Sequence, residues 1–523
     1  LRGLCIGQAG ALVQHVSGAK QLRAEVVRQI AERSDGVPLF VEESARMVAD
    51  LRAAGQAEGD TQVFPVPTTV LDLLTARLDR LGVAKQAAQV GGTLGREFPR
   101  AFLEAVLAQP GAPVSNKNLD AHLGELVRAG MLLAKEDGNG TRFSFRHQLM
   151  RDAAYDSLLK RDRLRLHRLI AGVIKERFPL LAGQQPELVA LHYTEAGMDT
   201  EALQCWEEAV RQAASRSAHV EAIGHINSAL AVLSRMPAGA EQTRQELRLQ
   251  LLLAARLIAT QGYGAERVEK VYLPARELAH QLGDNTAELR VLLGLEGYHF
   301  MRGDFEQARR CVLDAAARAG NGASPIQRVQ TQWALPNIRM HQGHMEAAVR
   351  EMHACRADYM RLEHRPAAVQ DPGVMCLCYS AWSLWELGHP DEALRRVMDV
   401  VDHAERIRHQ FSIGEAYGFR AAVLHFRGED VAALESAGHA IRTCEESGFP
   451  VWLAHARVMR GRILSQLGEP GRGVEDMRQG YELWAGTGAV VTTPFYLTMR
   501  AEGLALDQRP DEGLALLEQA LSI

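Results

Sequence analysis

The sequence predicts an all-α chain that carries one β-hairpin and ends in a long helical repeat array. Three observations predict it. Alanine and leucine dominate while aromatics make up only 6% of 523 residues, a balance that helices favour over sheets. A tight turn followed five residues later by a small residue recurs at a near-constant period through the second half of the chain. Convincing strands occur once, on either side of Asp137-Gly138-Asn139-Gly140.

Length and composition set the frame. A chain of 523 residues exceeds what one core supports, so at least three units are expected. A formal net charge of -5, with both signs interspersed, builds no field for phosphates and argues against DNA as a partner. The seven cysteines are odd in number and scattered, so they read as reduced core residues of a cytoplasmic protein. No stretch approaches the roughly 18–20 unbroken apolar residues of a membrane span, and the first residues lack the layout of a signal peptide. The chain begins at Leu1, not Met, inside an amphipathic pattern, from which a missing upstream segment is expected.

Breaks at Arg52–Asp60, Gln109–Asn118, Leu181–Pro186 and Met236–Ala240 divide the chain into blocks. The first, 1–58, holds helical patterns on both sides of a Gly36-Val37-Pro38 turn and is too small to stand alone. The second, 63–180, contains the hairpin, with strands expected at Met131–Lys135 and Arg142–Phe145 and a helix at Leu119–Ala129 leading into it. Helices followed by one two-stranded wing resemble a winged helix. The helix in the recognition position sets Asp120 and Glu125 against Arg128, so a structural module that does not bind DNA is expected. Leucines interleave the basic run Lys160–Arg168 at helical spacing, which makes it a solvated amphipathic face.

The third block, 186–523, is repetitive. The turn and small residue pair as Gly303/Ala308, Gly343/Ala348, Gly388/Ala393, Gly428/Ala433, Gly468/Gly473 and Gln508/Gly513, at steps of 40, 45, 40, 40 and 40, and Gly197/Ala202 is an earlier unit. Tetratricopeptide repeats are shorter, about 34 residues, but an apolar helix, a glycine turn and an alanine where two helices touch resemble theirs. One helix pair cannot bury its apolar faces alone, so neighbours stack into a solenoid whose concave face suits a protein or peptide partner. Ala308, Ala348, Ala393 and Ala433 are the expected points of close helix packing, with contacts confined to adjacent repeats.

Signatures of catalysis are missing: the sequence holds no phosphate loop with its Gly-Lys-Ser/Thr, no His-Glu-x-x-His helix and no Gly-x-Ser-x-Gly turn. Gly91-Gly92-Thr93-Leu94-Gly95-Arg96 lacks the lysine and hydroxyl that hold phosphates and reads as a helix end. His341 and His344 have no third ligand nearby, and Cys376 and Cys378 fall in an apolar helical run, so no metal site is expected. The chain as given is therefore not expected to be an enzyme.

Two segments are more particular: Asp35-Gly36-Val37-Pro38-Leu39-Phe40-Val41-Glu42-Glu43, and Phe145-Arg146-His147-Gln148-Leu149-Met150-Arg151-Asp152-Ala153-Ala154-Tyr155. With TARLDRLG, LGREF, PELVALHYTEAG and GFPVWLAHARVMRGR they extend over nearly the whole chain. Together they resemble the signal-transduction ATPases with numerous domains, specifically bacterial proteins that fuse a class III adenylate/guanylate cyclase, an AAA-like ATPase and tetratricopeptide repeats. The resemblance implies that 1–58 is the C-terminal helical part of an AAA-like nucleotide-binding module whose phosphate loop, like the cyclase, lies upstream. ATP or ADP with magnesium would then belong to the parent protein, and the adenine nucleotide would be shared with the upstream domain. It implies that Gly36 and Pro38 pack against adenine and that His147 reaches the phosphates; ordinary turn chemistry accounts for the first two equally, and a capping or core role for the third. The alternatives are a freestanding repeat scaffold and the sensor region of an ATPase-type transcription regulator.

Overall fold

A computed structural model describes residues 3–17, 22, 24–34, 36–53, 69–113, 118–138, 140–216, 218–319, 325–362 and 369–523. Among the described residues the chain is all-α apart from one small sheet, and it forms two compact units, Leu1–Cys205 and Trp206–Ile523. Most of the break expected at Arg52–Asp60 lies outside the described residues, as do residues 114–117 of the second break, Asp35 and the turn residue Asn139. Among the described residues no helix is long and apolar enough to cross a membrane.

In the first unit, helices Ile6–Ser17, Ala24–Arg33 and Pro38–Ala53 enclose a core of Val13, Ile30, Val41 and Val48. The next helix, Val70–Asp79, is capped by the Thr69 side chain, which accepts from the Asp72 amide. Its Arg77 forms a buried ion pair with Glu43 and donates to the Ala129 carbonyl at 2.6 Å. The two segments DGVPLFVEE and TARLDRLG are thus tied by one charge pair, and Ala129 ends the helix Leu119–Arg128 that leads into the sheet.

That sheet has three antiparallel strands in the order β1-β3-β2, where β1 is Glu97–Pro99, β2 Leu132–Asp137 and β3 Gly140–Phe145. Only β2 and β3 were legible as a hairpin, so the expectation of a single two-stranded wing is corrected by one strand. β1 has three residues, too few to show an alternation, and Pro99 suits it only to an edge. It is held by Phe98, buried beside Phe143 with ring centres 6.2 Å apart. The glycines before it divide their work. Gly95, at φ +140°, ends helix Ala84–Leu94, whereas a Cβ on Gly91 would collide with the Phe98 ring.

Residues 186–205 group with this first unit, which departs from the boundary expected at 186. A buried polar chain ties helix Pro186–Glu195 into it: Tyr155 Oη lies 2.9 Å from His167 Nε2, and His167 Nδ1 lies 2.8 Å from His192 Nδ1. The two facing Nδ1 atoms share a single proton, so the two rings cannot both be charged. Burial disfavours the charge on either, pushing His167 down to about 4 and His192 to about 3. Once unfolded, each takes a proton near its ordinary value of about 6.5. Below that pH the unfolded chain binds more protons than the folded one, and stability falls with pH down to about 4. Hydrogen-exchange protection of residues 160–195 is expected to be level above pH 7 and to decline between pH 6.5 and 4.5. A His192→Gln chain should lose less over that window, and an equal slope in both would remove the assignment.

The second unit is a run of antiparallel helix pairs: Asn285–Met301 with Phe305–Ala319, Pro372–Glu386 with Pro390–Ile407, Gln410–Phe426 with Asp430–Ser447, Pro450–Gln466 with Pro470–Gly486, and Thr493–Leu506 with Pro510–Leu521. Helices of 17 or 18 residues in the third and fourth of these account for a 40-residue period longer than the tetratricopeptide norm. In one pair the first helix is broken into Pro325–Gln332 and Ala334–His341, where Pro336 removes an amide and its ring crowds the carbonyl of Gln332. The 45-residue step falls at the connection from Met360 to Pro372, whose residues 363–368 lie outside the described residues.

Each pair turns on the same cap. Gly303, Gly343, Gly388, Gly428 and Gly468 have φ between +80° and +93°, and the residue after each donates its amide five residues back, as His389 does to Leu384 at 2.9 Å. In the last pair the left-handed position is held by Gln508 at φ +61°. A side chain there costs about 1 kcal/mol that glycine avoids. Gln508→Gly is expected to raise the stability of the second unit by about 0.5–1 kcal/mol, and Gly388→Ala to lower it by a similar amount, as read from denaturant midpoints. Shifts of the same sign would contradict the cap.

The array also closes on itself. The amides of Val490 and Val491 donate to Met301 O at 2.6 and 3.2 Å, and Arg302 Nη1 donates to Gly488 O at 3.4 Å. Gly262 and Gly264 admit Thr487 and the Gly488 backbone so closely that a Cβ on either would collide. Contacts confined to adjacent repeats were expected from the sequence. The helix pairs instead curve far enough to bring residues 487–491 against residues 262–302, because each pair adds a rotation of the same hand.

Candidate functional site

The closed array surrounds a cavity of about 360 Å³. The 40-residue period builds its wall, since positions one period apart occupy the same face of successive first helices. Met375, His455 and Phe495 line the cavity, and Glu415 holds the intervening place in that row. One helical turn away on either side of Glu415 stand Phe411 and Phe419, both in the lining. Four of the six tryptophans, Trp333, Trp382, Trp452 and Trp484, lie here, so a chain poor in aromatics has concentrated them at one place. Trp382 meets Phe419 and Phe495 edge-on with centres 5.8 and 5.1 Å apart. Exposed Glu386 also lines the cavity, which therefore reaches solvent beside that residue.

Polar atoms are few within this wall, and several have no partner. Glu296 is 1% exposed and its Oε2 accepts no hydrogen bond, and Asn337 Oδ1, Trp452 Nε1 and His455 Nε2 are likewise unpartnered; Glu415, fully buried but outside the lining, has no partner on either carboxylate oxygen. Burial pushes the Glu296 carboxyl up to about 8 and that of Glu415 well above the ordinary range. His455 is held differently, with Nδ1 2.9 Å from the Tyr496 hydroxyl and its pKa lowered to about 4 by burial. No group of three metal-binding side chains occurs among the described residues. The cavity is apolar and aromatic, with a few buried polar side chains in its lining, the composition usual for a ligand site.

The residues singled out from sequence fall elsewhere. Ala308, Ala348, Ala393 and Ala433 are fully buried between the helices of their pairs. A second small residue precedes each of the later ones by twelve positions: Ala381 before Ala393, Ala421 before Ala433, Gly461 before Gly473 and Ala501 before Gly513. Gly36 is buried at φ +73°, its carbonyl accepting from the Leu4 amide at 2.8 Å, and a Cβ on it would strike the Leu4 backbone. Pro38 is exposed at the first position of helix Pro38–Ala53. His147 is half-buried at the start of helix Gln148–Asp156, and its side chain makes no capping bond. Arg146 beside it reaches Glu42 at 3.8 Å, which brings the two particular segments of the sequence side by side. Cys376 and Cys378 are buried free thiols, and His341 Nδ1 lies 2.9 Å from Asn337 O.

Glu296, Asn337 and Glu415 were missed by sequence reading. The signal that finds them is a charge or amide inside an otherwise apolar stripe, Phe411-x-x-x-Glu415-x-x-x-Phe419 being the clearest.

Fold and cavity together define an α-solenoid of the tetratricopeptide type, and the tetratricopeptide repeat family model matches residues 376–397. The chain is 23% identical over 500 residues to an uncharacterized protein of Rhizobium meliloti (strain 1021), a match that covers 93% of the chain and 47% of that protein. It thus spans about half the length of the curated relative it matches. Among solved structures it is similar to a signal-transduction ATPase with numerous domains carrying a tetratricopeptide repeat sensor, from Pyrococcus horikoshii: TM-score 0.44, 10% identity, 99% of this chain and 72% of that one. It is also similar to a Rap protein complexed with competence and sporulation factor, with TM-score 0.44 and 16% identity over 61% of this chain and 86% of that one.

Proposed function

We propose that the chain is the regulatory half of a cytoplasmic bacterial signalling ATPase, with the second unit as its sensor. The cavity carries this reading: a repeat array that served only as a scaffold has no use for buried, unpartnered carboxyls, which cost stability unless a ligand satisfies them. In this reading the helices of 1–58 complete a nucleotide-binding module supplied upstream, and the winged-helix-like part, 63–180, lies against the nucleotide. Its helix Leu119–Arg128 sets Asp120 and Glu125 against one arginine, which disfavours DNA. Occupancy of the sensor by a ligand, peptide or protein biases how that module holds its nucleotide, and so an attached output domain, a nucleotidyl cyclase in the family resembled.

Nucleotide retention tests the reading. The chain alone is expected to turn over no ATP and form no cyclic nucleotide. Produced together with the gene segment upstream of Leu1, it is expected to retain a fluorescent ADP analogue with magnesium. His147→Ala should weaken that retention about tenfold, the worth of one hydrogen bond to a charged group. Turnover by the pure folded chain, or undiminished retention in His147→Ala, would overturn the corresponding part.

A further inference from the structure

We infer that the cavity of the second unit is a binding site for an organic ammonium group, held by the Glu296 carboxylate and faced by aromatic rings. The inference deepens the sensing role proposed above by naming the chemistry of what is sensed. It begins from unpartnered polar atoms on residues that line the cavity: Asn337 Oδ1 and Glu296 Oε2 are acceptors, the latter once its proton has left, with Trp452 Nε1 and His455 Nε2 beside them, so a guest that donates to the first two is complementary. The surrounding rings favour one kind of donor. Trp, Tyr and Phe faces attract a cation through their quadrupoles, and Trp333, Tyr379, Trp382, Trp452 and Phe419 all line the same space. Carboxylate and aromatic walls satisfy an ammonium together, where either alone would leave its charge poorly compensated once water is displaced.

Size agrees, since about 360 Å³ holds a small ligand or one long side chain and not a folded segment. A guest enters beside exposed Glu386, whose carboxylate favours the same charge. A primary or quaternary amine and the side chain of a peptide lysine present the same group. The site is defined by that shared chemistry.

Glu296 couples the event to protons. The groups around it are Cys311 on Phe305–Ala319, Tyr263 before helix Glu266–Leu282, Asn337 on Ala334–His341, and Tyr379 on Pro372–Glu386, with Tyr272 and Glu415 acting on Tyr263. Arg276 acts on Cys311, while burial is the one cause of the shift at Glu296 itself. At pH 7 the empty site therefore holds a protonated acid, and a bound cation expels that proton.

The test uses the whole chain and the quenching of its tryptophans. Choline, spermidine and the end-capped peptide acetyl-Gly-Lys-Gly-amide serve as cations, with 3,3-dimethylbutan-1-ol, the Nε-acetylated form of that peptide and maltose as neutral counterparts. At least one cation is expected to bind at least tenfold more tightly than its neutral counterpart. Titration calorimetry in two buffers of different ionisation enthalpy should show release approaching one proton per cation at pH 7. Glu296→Gln should abolish the charge preference and the proton release while leaving the thermal midpoint within a few degrees. Proton release by the unaltered chain keeps the test open should that variant not fold. Binding of choline or spermidine alone marks a small amine, and binding of the lysine peptide alone marks a peptide side chain. Equal binding of cation and neutral counterpart, preference for maltose, absence of cation binding at millimolar concentration, or an unchanged Glu296→Gln chain would each overturn the inference. Nucleotide retention by the longer protein, which does not depend on this site, would still decide the reading above.

Discussion

Arg77→Leu is expected to destabilise the first unit by about 3–5 kcal/mol, because it leaves the Glu43 carboxylate buried without its partner. Glu43 is fully buried and Arg77 is 6% exposed, so water cannot take over the lost interaction. Arg46, 3.8 Å from Glu43 at its Nη1, offers partial compensation and sets the lower end of the range. The loss of the bond to Ala129 O adds an orphaned carbonyl where helix and sheet meet. A double variant, Glu43→Leu with Arg77→Leu, should be more stable than Arg77→Leu alone, since it removes the stranded charge. Circular dichroism during urea unfolding, with hydrogen exchange to place the loss within residues 1–205, measures both. A single variant that costs under 1 kcal/mol would show that the pair is solvated and does not join helices Pro38–Ala53 and Val70–Asp79.

Gly461→Ala is expected to cost the second unit about 1–3 kcal/mol, against the usual preference of a helix for alanine. An added Cβ on Gly461 would meet Gly473 O and the Met477 amide, and one on Gly473 would meet Gly461 O and Ser465. Backbone lies on both sides, so no rotamer relieves the clash. The contrast is Gly224, inside helix His219–Leu233 with nothing within 4 Å, where Gly224→Ala should gain about 0.5–1 kcal/mol. Opposite signs for two chemically identical changes are the result to look for. Equal gains would mean that the helices of the Pro450–Gly486 pair do not touch at these glycines.

That contrast shows how far the sequence could be read. The repeat was legible because its turn needs a left-handed residue and its contact needs a small one, both of which are local demands on residue type. Gly473 where other pairs have alanine was visible, but its reason, a second glycine twelve residues earlier on the facing helix, appears only when both helices are seen. The β2–β3 hairpin was legible from its turn. β1 was not, since three residues paired to a distant strand carry no period. Gly36, Pro38 and His147 came from resemblance, and the structure places their segments together through Arg146 and Glu42 without adding a ligand to them. The cavity acids escaped notice because a single Glu in a helix reads as surface. Only the closure of the array turns that surface inward.

Closure also orders the folding reaction. Each helix pair brings together residues a few turns apart and forms at small entropic cost, whereas the bond from Arg302 to Gly488 joins positions 186 residues apart. The pairs are therefore expected to assemble early and the ring to shut last. Until it shuts there is no wall to hold Glu296 and Glu415 away from water, and both ionise like any exposed carboxylate. The cavity and its proton chemistry thus belong to the final step of folding, and whatever occupies the site holds that step closed.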